Sequence, residues 1–259
     1  MQIILLGAGN VATHLGTALH TAGHDVRQVY SRTWSSARML AERVGAEAVT
    51  DTDSLRKDAD VCICAVKDDA LLQLVPQICK DREGTIFLHT AGSVPMSVFE
   101  GYAQHYGVLY PMQTFSKSHP IAFDSIPCFI EASDEATLQS IHALASSVSH
   151  DVRPLSSDDR RYLHLSAVFA CNFVNHCYDM AGMLLEKHGL PFDTLLPLID
   201  ETAQKVHSMA PRQAQTGPAV RYDKKVIEAQ RRLLADTPEL QQVYDLMTES
   251  IHERAQEES

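Results

Sequence analysis

Met1-Gln-Ile-Ile-Leu-Leu-Gly-Ala-Gly-Asn-Val-Ala12 runs an apolar strand straight into a glycine turn, and Thr13 to Ala22 continues as a helix-like pattern that closes at Gly23. A strand, a G-x-G-x-x-A turn and a helix make the opening of a dinucleotide-binding unit. Gly7 permits the tight turn, Gly9 has no side chain to hold the backbone away from a pyrophosphate, and Ala12 is small enough for the helix to pack on the strand. The unpaired N–H groups at the helix start then face the negative phosphates. Gly7, Ala8, Gly9, Asn10 and Val11 are therefore candidate cofactor contacts. A lone Gly-x-Gly also marks ordinary turns. Here a second strand, Asp25 to Tyr30, follows the helix and completes the required context.

The end of that second strand carries the next piece of chemistry. NAD sites place an Asp or Glu about 20 residues after the glycines, to bond the ribose 2′-OH. This chain has Ser31-Arg32-Thr33 and no acid. A carboxylate would repel a 2′-phosphate, whereas a guanidinium and two hydroxyls bind it, with Arg32 able to make bidentate contacts. The residues favour NADP over NAD. Ser31 or Thr33 can also cap the helix that follows, a role compatible with phosphate binding.

Composition bounds the rest. With 259 residues the chain makes one large domain or two ordinary ones. Its net charge of −11 argues against nucleic-acid and anionic-membrane partners. It leaves room for a local basic pocket of Arg32 with Lys67. The six cysteines, at 62, 64, 79, 128, 171 and 177, lie in apolar segments and read as buried small hydrophobes, not as a disulfide framework. The histidines form no metal-ligand pair with a nearby carboxylate, so no metal is expected. The apolar start is too short for a signal peptide and no stretch has membrane-span length. The expectation is a soluble, cytoplasmic protein.

The first half alternates strand and helix. Trp34 to Val44 is a helix closing at Gly45; Val61 to Val66 is a strand buried on both faces; Asp69 to Cys79 is a helix interrupted or bent near Pro76; Thr85 to His89 is a strand. Gly107–Tyr110, Cys128–Glu131 and Val152–Leu155 are weaker strand candidates, with a helix from Asp134 to Ser147 between the last two. The alternation predicts an α/β fold, a Rossmann-like doubly wound, mostly parallel sheet. From Asp158 onward no strand is expected. Ser157 can cap a long helix through Lys187; further helices follow from Thr194 to Ser208, from an Asp223 cap to Ala235, and from Thr237-Pro238, where Leu240, Val243, Tyr244, Met247 and Ile251 share one face. Residues 210–218 read as loop, and Ala255 to Ser259 as a frayed end. The expected division is a nucleotide-binding domain, 1–155, and an all-helical substrate and dimerisation domain, 156–259. The long helix is apolar nearly all round between Val168 and Leu184, which predicts burial, with a second subunit supplying part of it as a homodimer.

These motifs resemble the 6-phosphogluconate dehydrogenase-like superfamily, which includes pyrroline-5-carboxylate reductases, β-hydroxyacid dehydrogenases and deazaflavin-dependent NADP reductases. The chain is most similar there to a subfamily of NADP oxidoreductases with a Rossmann-like domain and a C-terminal domain of unassigned function. The residues that carry the resemblance are Gly7 to Ala12, Ser31-Arg32-Thr33, Ala65-Val-Lys-Asp68, His89-Thr-Ala-Gly92, Tyr110-Pro-Met-Gln-Thr-Phe115, His164 with Asn172, and Thr216-Gly-Pro-Ala-Val-Arg-Tyr-Asp223. It covers essentially the whole chain. Two departures stand out. β-Hydroxyacid dehydrogenases carry a Lys four residues before the helix Asn, where this chain has Val168. The subfamily often has His-Pro where this chain has Tyr110-Pro111.

Hydride transfer belongs to the cofactor, so the protein must place the nicotinamide and supply a proton or an electrostatic partner. Ala65, Val66 and Lys67 follow one strand and Thr90 and Ala91 another, both along the cofactor groove. His89 is a candidate substrate contact, or a strand-end histidine bonded to backbone. His164 and Asn172, two helical turns apart, are candidate catalytic groups: a proton donor, and an amide that orients a carbonyl or carboxylate. By themselves they fit better as satisfied polar groups in a buried helix; the resemblance tips them to function. Arg221 can clamp an anionic group or pair with Asp223, and Thr216, Gln113 and Thr114 are further substrate-side candidates. The function expected is an NADP(H)-dependent oxidoreductase acting on a small anionic substrate in an interdomain cleft, imine reduction and deazaflavin-linked NADP reduction included. The competing reading is an NADP(H) sensor without turnover.

Overall fold

The computed structural model describes residues 1–257. Eight strands form one sheet: β1 (Gln2–Leu6), β2 (Asp25–Tyr30), β3 (Glu47–Val49), β4 (Val61–Cys64), β5 (Ile86–His89), β6 (His105–Pro111), β7 (Cys128–Ala132) and β8 (Val152–Pro154). Their spatial order is β3-β2-β1-β4-β5-β6-β7-β8. All neighbours pair parallel except β6 and β7, which are antiparallel, so the last two strands run against the first six. The sheet is doubly wound and mostly parallel, as the alternation implied. The short edge strand β3 went unforeseen, because three residues are too few to show a period.

Helices cover both faces. α1 (Asn10–Thr21), α2 (Trp34–Val44) and α4 (Glu135–Ser146) pack with Ile3 and Leu5, while α3 (Asp68–Ile78) packs with Ile4 and Leu6. Alternate residues of β1 thus enter two separate cores, which is why the strand reads as an unbroken apolar run. Gly45 closes α2 in the left-handed region at φ 68°. Pro76 sits inside α3 without ending it. Ala12 is fully buried, and a Cβ at Gly16 would lie 2.7 Å from Leu5 Cδ2, so both small residues let α1 close on the sheet.

The compact unit built on the sheet extends from Met1 to Asn172 and so includes α5 (Ser157–Ala167). Ser156, not Ser157, caps α5: its hydroxyl accepts from Asp159 N–H at 3.1 Å. The Ser157 hydroxyl is taken by the Glu131 carboxylate at 2.6 Å. Val168–Phe173 then winds as a π-helix, a local widening that apolar periodicity cannot reveal and that recurs at functional sites.

The second unit, from Phe173 onward, is all helical: α6 (Val174–Lys187), α7 (Leu196–Ser208), α8 (Pro211–Ala214), α9 (Pro218–Arg221), α10 (Lys224–Leu233) and α11 (Pro238–Gln256). The expected loop at 210–218 holds α8 and the start of α9, each opening on a proline where a missing N–H costs nothing. Asp223 caps α10 through Val226 N–H. Arg231 bonds both oxygens of Asp245 at 3.0 Å, and Tyr222 stacks on His252 at 4.1 Å. The expected fraying of Ala255 to Ser259 is not seen through Gln256, and residues 258 and 259 lie outside the described residues.

The expected burial of the long helix is not met within one chain. Phe169 is 62% and Met183 52% exposed. Among the described residues of the second unit only Leu234 and Thr248 are buried, because its helices are few and present most of their apolar faces outward. Cys171, also expected inside, is exposed, whereas Cys62, Cys64, Cys79 and Cys128 are buried. Burial pushes the Cys79 thiol up to about 12 and that of Cys128 to about 11.

Candidate functional site

A groove of about 720 Å³ opens at the carboxyl ends of β1, β2, β4 and β5. The strand order reverses between β1 and β4, and such a switch point is where doubly wound sheets leave a crevice. Gly7, Ala8, Gly9, Asn10, Val11, Ser31, Arg32, Thr33, Ala65, Val66, Lys67, Thr90 and Ala91 all line it. The sequence named these residues from four separated segments, and the sheet topology brings them to one edge.

The turn has the geometry its glycines require. Gly7 adopts φ 114°, and a Cβ there would sit 2.2 Å from the Ala65 carbonyl oxygen. A Cβ at Gly9 would meet nothing within 4 Å, so the missing side chain leaves free space over the turn. α1 starts at Asn10 with neither a side-chain cap nor an acid in its first turn. Its leading N–H groups therefore carry the helix's partial positive charge with no competing carboxylate. The Asn10 side chain is already engaged: Nδ2 donates to the Phe115 carbonyl at 2.8 Å, which holds the segment after β6 against the turn. At the other end, Arg32 and Thr33 are exposed, and the Thr33 hydroxyl donates to Ser36 Oγ at 2.8 Å instead of capping α2. This cradle fits an anionic dinucleotide: donors at the turn, a guanidinium and hydroxyls at the β2 end, Lys67 between.

The sequence missed part of the lining. Ala70, Gln73, Leu74 and Gln77 of α3 form one wall. Their spacing by three and four marks one helix face and could have been used. Tyr30, Ser36 and Asp68 also line the groove, the last accepting from the Ser93 hydroxyl at 2.5 Å.

Thr90 and Ala91 lead to Gly92, and there the groove loop reaches α5. A Cβ on Gly92 would lie 2.5 Å from His164 Cγ. His164 Nδ1 is 3.0 Å from the Tyr110 hydroxyl, the rings meeting edge to face at 6.0 Å. His164 is half-buried; Asn172 is exposed on the π segment. Tyr110 is 8% exposed at the end of β6, and burial raises its phenol pKa, an effect that nearby Arg160 opposes.

His89 requires a correction. It is wholly buried, stacks on Phe99 at 5.9 Å and accepts from Ala91 N–H through Nδ1 at 3.2 Å. Burial, assisted by the Arg160 charge, pulls its pKa down to about 3. It is a neutral core residue under the groove loop and cannot touch a substrate, because β5 turns its side chain inward between the sheet and Phe99. Gln113 and Thr114 are exposed and bonded to each other: Gln113 Oε1 accepts from Thr114 N–H at 2.8 Å. Thr216 and Arg221 lie in the second unit, flanking Gly217 and ending α9; Asp223 spends its carboxylate on the α10 cap.

No sequence pattern pointed to Arg160, yet it organises this region. It is 1% exposed, with Nη1 2.7 Å from Glu131 Oε2 and Nη2 2.7 Å from the Val94 carbonyl. Ser157 joins the same carboxylate and accepts from Met96 N–H at 2.9 Å. An ion pair between buried Arg160 on α5 and part-buried Glu131 on β7 thereby pins the loop that leaves the groove at Thr90.

Among the described residues no group of three or more His, Cys, Asp or Glu is arranged to hold a metal, and no helix is long and apolar enough to cross a membrane.

Residues 1–111 match the model of a Rossmann-like domain, and residues 126–251 that of the domain of unknown function DUF2520. The chain is similar, with 51% identity and a TM-score of 0.94, to a Bacteroides fragilis protein described as a putative NADP oxidoreductase, over 97% of this chain and 98% of that one. A Thermotoga maritima protein shares 23% identity at a TM-score of 0.78, with 98% and 99% covered. A Myxococcus stipitatus imine reductase in complex with NADP+ shares the fold, with 15% identity, a TM-score of 0.68 and 99% and 93% covered. No curated protein is significantly similar in sequence.

Proposed function

The chain belongs to the family of the Bacteroides fragilis protein, a Rossmann-like domain continued into DUF2520, and on that premise we propose that it is an NADP(H)-dependent oxidoreductase exchanging a hydride with a small anionic substrate. The observation that carries the reading is the single groove that joins the phosphate turn, the acid-free Ser31-Arg32-Thr33 end and the loop touching His164.

Each part has a task. The turn and the first N–H groups of α1 hold the pyrophosphate. Arg32, with Ser31, Thr33 and Ser36, takes the 2′-phosphate that distinguishes NADP from NAD. The bound nicotinamide supplies or accepts the hydride. His164 gives or takes the proton at the substrate's heteroatom, Asn172 orients the substrate, and Thr216 and Arg221 bind its anionic group. In this reading residues 1–155 bind the nucleotide and 156–259 serve the substrate and dimerisation. The buried reduced thiols fit a reducing, cytoplasmic compartment. The nearly coreless second unit supports a homodimer, in which a second copy covers the apolar helix faces.

The test is NADPH oxidation, followed by absorbance, against a panel of cyclic imines, keto acids and a deazaflavin. Turnover with one class supports the reading, with His164→Ala expected to lower it ~100-fold while sparing NADPH affinity. Tight NADPH binding with no turnover across the panel replaces it with the sensor reading.

A further inference from the structure

The hydroxyl of Tyr110, near the end of β6, is 3.0 Å from Nδ1 of His164 on α5, in a part-buried contact. Two features make this contact more than incidental. The groove loop has a glycine where it meets the His164 ring, and any side chain at Gly92 would collide with that ring at 2.5 Å. The phenol is anchored as well: Tyr110 pairs with Phe129 across β6 and β7, with ring centroids 6.5 Å apart, and Pro111 follows it.

We propose that Tyr110 is a positioning residue that claims Nδ1 of His164, so that this histidine acts through Nε2 alone. The inference rests on the oxidoreductase reading for its purpose, though not for its geometry. A hydroxyl can pair with Nδ1 whether that nitrogen carries a hydrogen or a lone pair. It donates O–H to the lone pair of Nδ1 in the neutral Nε2–H tautomer. It accepts N–H from Nδ1 in the protonated ring and in the neutral Nδ1–H ring that remains once Nε2 has given its proton to the substrate. Nδ1 therefore stays paired throughout a cycle in which His164 loses a proton to the substrate and regains one, and the ring need not turn. A carboxylate in this place would favour the protonated ring, and a backbone carbonyl could only accept. Tyr110 is suited further by remaining a phenol: burial holds its proton on, while the Arg160 charge nearby moderates that effect.

Tyr110→Phe removes one oxygen and keeps the ring, so folding is checked by a single cooperative thermal transition and an unchanged NADPH affinity. The first readout is the imidazole ¹⁵N spectrum at about pH 9, above the ordinary imidazole range, with His164 assigned from its loss in His164→Gln. The Nδ1 signal of His164 is expected to move toward that of an unbonded nitrogen in Tyr110→Phe, with the other histidines unmoved. An unmoved signal overturns the proposal. The second readout is turnover with whichever class of the imine, keto acid and deazaflavin panel reacts. Tyr110→Phe should lower kcat about tenfold with KM for NADPH unchanged, and should cost nothing further in the His164→Gln background. An equal loss in both backgrounds overturns action through His164. If no member of the panel reacts, the oxidoreductase reading fails, while the ¹⁵N spectrum still decides the Tyr110 contact.

Discussion

Arg32 and His89 show how one side chain's surroundings decide its use. Arg32 is exposed at the rim of the groove and has no acid beside it at the end of β2. Arg32→Ala should weaken NADP binding by ~2 kcal/mol, the scale of a charge-assisted hydrogen-bonded contact, and leave NAD almost unchanged. Titration of both nucleotides checks this, and an equal loss for both removes the 2′-phosphate assignment. His89 is the opposite case, a histidine sealed in the core. Its folded pKa, about 3, lies below the ordinary 6.5. The unfolded chain therefore binds the proton first, and stability is complete above pH ~6.5 and is lost as pH falls toward 3. The thermal midpoint should drop between pH 7 and pH 4.5, and His89→Met should flatten that drop. An identical drop in the variant would assign the acid sensitivity to other groups.

At the scale of elements, the Glu131–Arg160 pair joins β7 to α5 and holds the loop between β5 and β6 through Val94. Removing one partner of a buried pair leaves an uncompensated charge, which costs ~3 kcal/mol or more. Glu131→Ala should lower the unfolding free energy by about that amount in urea titration, and a loss under ~1 kcal/mol would place the pair among solvent-screened surface contacts. The same elements show where sequence reading works. β1, α1 and β2 were legible because their apolar period and glycines are local. β3 and the π segment were not, since the first is too short and the second arises from the fit of one long helix. Ser156 and Ser157 are neighbours with equal capping propensity, and the choice between them was made by a carboxylate on β7, 26 residues away in sequence.

The whole molecule raises the question of what covers the second unit. Leu233 is 78% and Leu246 68% exposed in the single chain. Helices stabilised by packing need those faces covered, and in a homodimer of the proposed kind a second copy does so. Light scattering should return twice the 28.7 kDa chain mass, and Leu246→Glu should shift the protein toward monomer with a lower thermal midpoint. A monomeric wild type would end the dimer reading. The sequence by itself determined the first half of the chain: the α/β alternation, the glycine turn and thirteen of the residues that line one groove. Those signals are local, because a turn or a strand is set by residues close in the chain. Only the tertiary structure decided which histidine is buried and which is paired. His89 went to the core, and His164 met Tyr110 across 54 residues of sequence. Burial and long-range hydrogen bonds depend on how elements pack, and no period or motif along the chain records that.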